Sequence, residues 1–351
     1  MLVKYLGTTI NEKNEHTPRA EFLENGLFRM TQPKFLNDKG SEAKFFPYFD
    51  KFSPADMAYA RKCFFQFNTD LNPEEPSDEE LINHYLKPIG RTYNLEEFPT
   101  LLGFTEYDSV ESYNQAQRED LEKAVEGFNN FILEALSCHI GVFSLSKSAN
   151  NELMWTHYTN EGKGLAVTFK EEHPFFKNFG LQDVSYKEED RAFITYYRGT
   201  TRINGEYAKS FELDESMNLS EIYKLVYQDK NKYKELVDRL LYSKSNKWSY
   251  EEERRILCPL ISCETKSKTT IEPNFDLKLP DNLLINLPSY PEICLKEIPF
   301  DAFSSVIFGY SVNEVQKQEI ISKAQQNPLL KHLKFSQAKF DIFGDINIVD
   351  L

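Results

Sequence analysis

Glycine is scarce in this chain, 14 of 351 residues, and the glycine-rich patterns that cradle phosphates are missing. There is no G-x-x-x-x-G-K-[ST] loop and no G-x-G-x-x-G turn, so neither a P-loop nucleotidase nor a dinucleotide-binding dehydrogenase is indicated. The G-x-S-x-G elbow of the α/β-hydrolases is absent too. Five cysteines, at 63, 138, 258, 263 and 294, show no C-x-x-C spacing, and the six histidines fall in no H-x-x-x-H or H-E-x-x-H pattern. No metal is therefore expected. An odd number of thiols in mostly apolar surroundings fits a reducing cytoplasm. No apolar run approaches the ~18 residues of a membrane span, and M-L-V-K-Y-L-G is too short for a signal peptide. The expectation is a cytoplasmic protein without a membrane partner.

Positive charge is also in deficit. Forty-one Lys and Arg stand against 55 Asp and Glu, a formal charge of -14, which disfavours broad binding to nucleic acid or anionic lipid. What the chain has in quantity is aromatic carbon, with 28 Phe and 19 Tyr. Together with 40% hydrophobic residues this gives material for a sizeable core. The chain is read as one large domain, 1–351.

Strand-like runs are expected at 1–6, 27–31, 139–146, 164–170, 181–186, 251–260, 304–309, 333–343 and 346–349. Thr17 as cap, Pro18 at the first position and Gly26 as stop predict a short helix over 18–25. Ser53-Pro54 opens another helix, with Met57, Ala60, Phe64 and Phe67 on one side. Ser77 with Glu80 is a capping box. Periodicity predicts helix from Ser109 to Leu136, and 45–137 is read as a helical insertion. Further helices are expected at 151–159, 221–242 and 313–325. Strands and helices do not alternate strictly, so the fold class is α+β, with a central, mainly antiparallel or mixed sheet.

Two stretches concentrate chemistry. In K-S-N-K-W-S-Y-E-E-E-R-R-I-L-C-P-L, 244–260, strand alternation puts Glu251, Glu253, Arg255 and Leu257 on one face. Two carboxylates and a guanidinium entering an apolar strand are costly to bury unless paired. Two readings stand: a structural ion pair that closes the strand, or a catalytic or ligand-binding carboxylate pair. In L-M-W-T-H-Y-T-N-E-G-K-G, 153–164, helical spacing brings Met154, Trp155 and Tyr158 to one side and turns His157 away from Trp155. Trp155 and Tyr158 offer a face to a flat ring and His157 a proton. The plainer reading is an amphipathic helix with its aromatics in the core.

Several blocks taken in order resemble a known family. They are K-Y at 4–5, F-L-N-D at 35–38, F-S-L-S at 143–146, M-W-T-H-Y at 154–158, K-x-x-x-W-x-Y-E-x-E-x-R at 244–255 and V-I-F-G at 306–309. Together they resemble the bacterial family catalogued as domain of unknown function 2971. One departure is the loop Asn37-Asp38-Lys39-Gly40-Ser41-Glu42, where the family tends to run N-D-P-F-E. The layout is also similar to ADP-ribosyltransferase-like folds. That similarity implies a split sheet, with a basic element on the first strand, an aromatic or Ser element mid-chain and a late Glu within E-x-E. Carried over, Lys4 or Tyr5 is the first element. Ser144, Trp155 and Tyr158 supply the second, and Glu253 the third with Glu251 as its partner. Catalytic roles then fall to Glu253, Glu251 and His157. Substrate binding falls to Lys4, Tyr5, Ser144, Trp155, Tyr158 and Arg255.

The function this implies is cleavage of NAD, taken as substrate, with a protein or nucleic-acid acceptor and a bacterial toxin or anti-phage defence effector as the setting. A carboxylate would stabilise the oxocarbenium charge as the nicotinamide–ribose bond breaks. The alternatives are a ligand- or partner-binding module without catalysis, and a nuclease-like effector holding Mg²⁺ on Asn37, Asp38, Glu42 and the E-x-E carboxylates.

Overall fold

The computed structural model describes residues 1–10, 14–38, 40, 42–68, 74–87, 108–197, 200–207, 230–275 and 286–351. Its centre is a sheet of eight strands. They are β1 (Leu2–Leu6), β2 (Ile140–Ser146), β3 (Leu165–Phe169), β4 (Gln182–Asp183), β5 (Glu253–Pro259), β6 (Phe303–Phe308), β7 (Lys334–Phe340) and β8 (Ile346–Asp350). Their spatial order is β8-β7-β6-β3-β1-β2-β5-β4. β6 and β7 run parallel and the remaining neighbours antiparallel, so the sheet is mixed and the fold is α+β.

Side-chain alternation decides what each face packs against. Leu2, Phe143, Leu145, Val167, Phe169, Ile256, Cys258 and Phe308 join a layer rich in phenylalanine, including Phe22, Phe28 and Phe303. Edge-to-face contacts knit this layer, such as Phe28 with Phe143 at 5.6 Å and with Phe169 at 5.5 Å. Val3, Tyr5, Ala166, Ile307 and Ala338 face the other way, against helix α3 (Glu152–Tyr158), which contributes Met154 and Trp155. Leu257 packs separately with helix α2 (Val110–His139) and helix α4 (Lys230–Leu241).

Three sequence readings change at their edges. His16–Pro18 is a strand paired with Thr8–Ile10, and the helix starts only at Phe22, because Thr17 already pairs with Thr9. Gly26 still ends it, at φ 68°. The strand expected from 251 begins at Glu253. Asn246–Glu251 is a 3-10 turn, and Glu252 leaves it in the left-handed region at φ 44°. The stretch 45–137 contains helix α1 (Pro54–Phe67), the turn Asp78–Leu81 and α2, but opens on a strand. That strand, Phe46–Phe49, pairs in parallel with Phe193–Tyr197. Phe67 is 74% exposed and stands off the buried side of α1. The helix expected over 221–242 is described only from Lys230 onward, and Lys39 and Ser41 lie outside the described residues. Helix α5 (Glu314–Gln326) follows β6 as expected. Among the described residues no helix is long and apolar enough to cross a membrane.

Candidate functional site

The strand pair β2–β5 brings the two chemical stretches together. Glu253 lies opposite Ser146, and Arg255 opposite Ser144. β2 also carries the N-terminal loop. Thr31 bridges Val142, and Gly141 lets this crossing come close, since a Cβ there would sit 2.5 Å from Met30 Cβ. The chain then turns through Pro33–Phe35 and delivers Asn37 and Glu42 to the mouth of β5. On the far side, Lys244 N–H donates to Ser185 O at 2.9 Å, and Val184 N–H donates to Glu253 O at 2.9 Å. Lys244 and Glu253 are thus stitched to the same segment.

The side chains meet in one buried cluster. Lys244 Nζ lies 2.7 Å from Glu251 Oε2 and 3.3 Å from Glu253 Oε2. Arg255 Nε and Nη2 grip Glu253 at 2.7 and 2.9 Å. Arg255 also pairs with Glu42 and donates to Leu241 O at 2.7 Å. Tyr158 OH donates to Glu251, and the Asn37 side chain hydrogen-bonds the same phenol. Ser144 hydrogen-bonds Glu253, whose backbone N–H donates to Tyr186 OH at 2.9 Å. Glu42, Lys244, Glu251, Glu253 and Arg255 are all buried. The turn over 246–251 explains the meeting of the two glutamates. Glu251 reaches the cation of Glu253 through that turn rather than through strand alternation.

The charges set each other's protonation. Burial alone would raise the Glu253 carboxyl, but Arg255 and Lys244 outweigh it and hold it down at about 2. Glu251 goes the other way: burial, with Glu253 beside it, raises it despite Lys244 and Tyr158. Burial works to lower Lys244, yet Glu253, Glu42 and Glu251 leave it raised. Burial, then Glu251, pushes the Tyr158 phenol well up. The result is a firmly ionised carboxylate next to one that holds a proton more readily.

The structure brings most of the sequence-predicted residues to this place and uses them unequally. β1 and β2 pair at one position only, Val3 with Ser146. The Lys4 ammonium sits where they part, donating to Ser144 O at 2.9 Å and lying 4.8 Å from the Phe143 ring centre. Burial depresses it to about 8. Tyr5 OH donates to Ser148 O at 2.9 Å, and its ring meets Trp155 edge-on at 5.1 Å. Trp155 is 0% exposed and donates to Ala149 O at 2.7 Å, so it supports α3 from the core and offers no face to a ligand. Arg255 is 1% exposed and has its donors on Glu42, Glu253 and Leu241 O, so it organises the cluster and does not reach a substrate. His157 is exposed beside Tyr250, with ring centres 6.5 Å apart. Sequence reasoning gave no role to Lys244 or Tyr186, and placed Glu42 only in the metal-binding alternative. Lys244 was legible as the first residue of the K-x-x-x-W-x-Y-E-x-E-x-R block, seven positions before Glu251. Tyr186 carries no local signal.

Surface grooves of about 640 and 910 Å³ lie at α5, and neither is lined by a residue of the cluster. Among the described residues no group of three or more His, Cys, Asp or Glu is placed to hold a metal ion.

An α+β protein with a buried acid–base cluster on adjacent strands is the class that fold and site define. Residues 154–256, from within α3 into β5, match the model of the family described as protein of unknown function (DUF2971). The N-terminal strand, the Asn37-Asp38 loop and V-I-F-G lie outside the match. No curated protein and no solved structure matches the chain.

Proposed function

We propose that the chain is an NAD-cleaving enzyme of the ADP-ribosyltransferase-like type. The observation that carries this reading is the adjacency of β1, β2 and β5, with Lys4, Ser144 and Glu253 close to where β1 and β2 part beyond their one paired position. As the nicotinamide leaves, positive charge develops on the ribose ring, and an anion fixed beforehand stabilises it without reorganising. Glu253 is such an anion, held ionised by Arg255 and Lys244. Glu251, which keeps a proton more readily and accepts hydrogen bonds from Tyr158 and Lys244, is the group suited to exchange a proton with an acceptor.

The test is incubation of the chain with NAD and chromatography for free nicotinamide. Wild type should release it. Glu253→Gln should lose ~10²–10³-fold beyond any loss of folded fraction, and should relieve growth arrest on expression if the chain is a toxin or defence effector. Absence of release by folded wild type would overturn the reading. A binding module without catalysis is the second reading, favoured by the burial of Glu253, which is 5% exposed. Saturable NAD binding without turnover would select it. The Mg²⁺-nuclease alternative fits less well, because Arg255 and Lys244 already occupy Glu42, Glu251 and Glu253.

A further inference from the structure

We infer that Cys258 and Cys263 are an oxidisable dithiol, which a hydroperoxide converts into a disulfide across the turn Leu260–Ser262. Cys258 is the last residue but one of β5. The 3-10 turn that follows brings the chain back, with Cys263 N–H donating to Leu260 O at 3.2 Å. The two thiols hydrogen-bond each other across it. Cys263 also hydrogen-bonds Cys294. The strand Cys294–Glu297 pairs with Thr265–Lys266 just beyond the turn. All three sulfurs are free thiols, and none takes part in the charge cluster at the other end of β5. Cys258 is 0% and Cys263 6% exposed, but only one surface turn covers them, and its Ile261 is 87% exposed. The oxidant that reaches them is therefore small, and hydrogen peroxide is of that size.

The surroundings give the two thiols different parts. The Ser262 hydroxyl lies 3.3 Å from Cys258 Sγ, and Lys296, donating to Ser262 O at 2.8 Å, brings positive charge to the same turn. The hydrogen bond with Cys263, helped by Ser262 and Lys296, outweighs burial and draws the Cys258 thiol down to about 7. The same hydrogen bond, with burial, pushes the Cys263 thiol up. Cys258 is thus the thiolate that attacks and Cys263 the thiol that resolves. The Cys258 sulfur attacks one peroxide oxygen, the O–O bond breaks, and the other oxygen takes up a proton and leaves as water. The sulfur, oxidised by two electrons, is now a sulfenic acid. The Cys263 sulfur attacks it, the S–S bond forms and the S–O bond breaks, and the Cys263 proton leaves with that oxygen as a second water.

The test treats the full, reduced chain with hydrogen peroxide, alkylates the remaining thiols under denaturing conditions and maps the peptides by mass spectrometry. The expected result is the loss of two of the five thiols as one Cys258–Cys263 cross-link, formed faster as pH rises through about 7. Cys138 is the internal control, since burial and Glu134 hold its thiol up at about 11, and it should stay alkylatable. Cys263→Ser keeps a hydroxyl beside Cys258 and should stop the reaction at the sulfenic acid, which dimedone captures. Cys258→Ser should yield neither cross-link nor adduct. If Cys258→Ser does not fold, the wild-type map and Cys263→Ser still decide. Oxidation that reaches all five cysteines alike, or that runs only as fast as the chain unfolds, would overturn the inference. So would a Cys263–Cys294 bridge in place of Cys258–Cys263, or a dimedone adduct on Cys294 and none on Cys258 in Cys263→Ser.

Discussion

Arg255 holds Glu42 and Glu253 at once, with its third contact on the Leu241 carbonyl. Removing it takes the ion-pair partner of buried Glu42 and leaves Glu253 with Lys244 alone, whereas removing the charge of Glu253 leaves Arg255 its partner Glu42. Arg255→Met is therefore expected to lose about 3–5 kcal/mol in urea denaturation, and Glu253→Gln distinctly less. Equal losses would mean that Glu42 contributes nothing to holding the guanidinium. The same carboxylate sets an acid limb. Its folded-state value, about 2, lies below the ordinary 4.5, so its contribution is complete above about 4.5 and is lost as pH falls toward about 2. Glu251 has the opposite sign, because its raised folded-state value makes its contribution fade as pH rises through that value. Denaturation curves from pH 6 downward should fall more steeply for wild type than for Glu253→Gln. Parallel curves would remove Glu253 from the acid limb.

At the scale of elements, the two tryptophans separate what the sequence left open. Trp155 lies within α3 against Tyr5, so Trp155→Ala is expected to cost about 3–5 kcal/mol. Trp248 lies on a half-exposed turn, so Trp248→Ala is expected to cost roughly 1 kcal/mol or less. Thermal or urea melts of both variants check the order, and a reversal would place Trp248 in the core. Alternation in 253–257 and the turning of His157 away from Trp155 were legible because strand and helix periods fix side-chain direction locally. Caps were legible for the same reason: Ser53, Ser77 and Ser109 all cap as side-chain chemistry requires. The start of β5 was not, because Glu252 adopts a left-handed backbone that its residue type does not announce. Nor was the partnership of Glu42 with Arg255, which spans 213 positions and depends on the crossing at Gly141.

At the scale of the whole molecule, the matched segment 154–256 does not contain its own site. β5 pairs with β2, which lies before the segment, and β3 pairs with β1 and β6, which lie on either side of it. Glu42 and Ser144 are likewise outside. Cut free, the segment would expose Ile256 and the buried row of β3 and leave Arg255 and Glu253 without Glu42, Ser144 or the sheet that covers them. A strand stripped of both neighbours has nothing to repay its ordering entropy. The fragment 154–256 expressed alone is therefore expected to show no cooperative thermal transition and little dispersion in amide NMR, while the 351-residue chain melts in a cooperative step. Adding the fragment 1–153, which supplies β1, β2, Glu42 and Ser144, should restore part of the ordered signal. A cooperative melt of 154–256 by itself would show that the segment is an independent folding unit and that the charge cluster is dispensable for its fold.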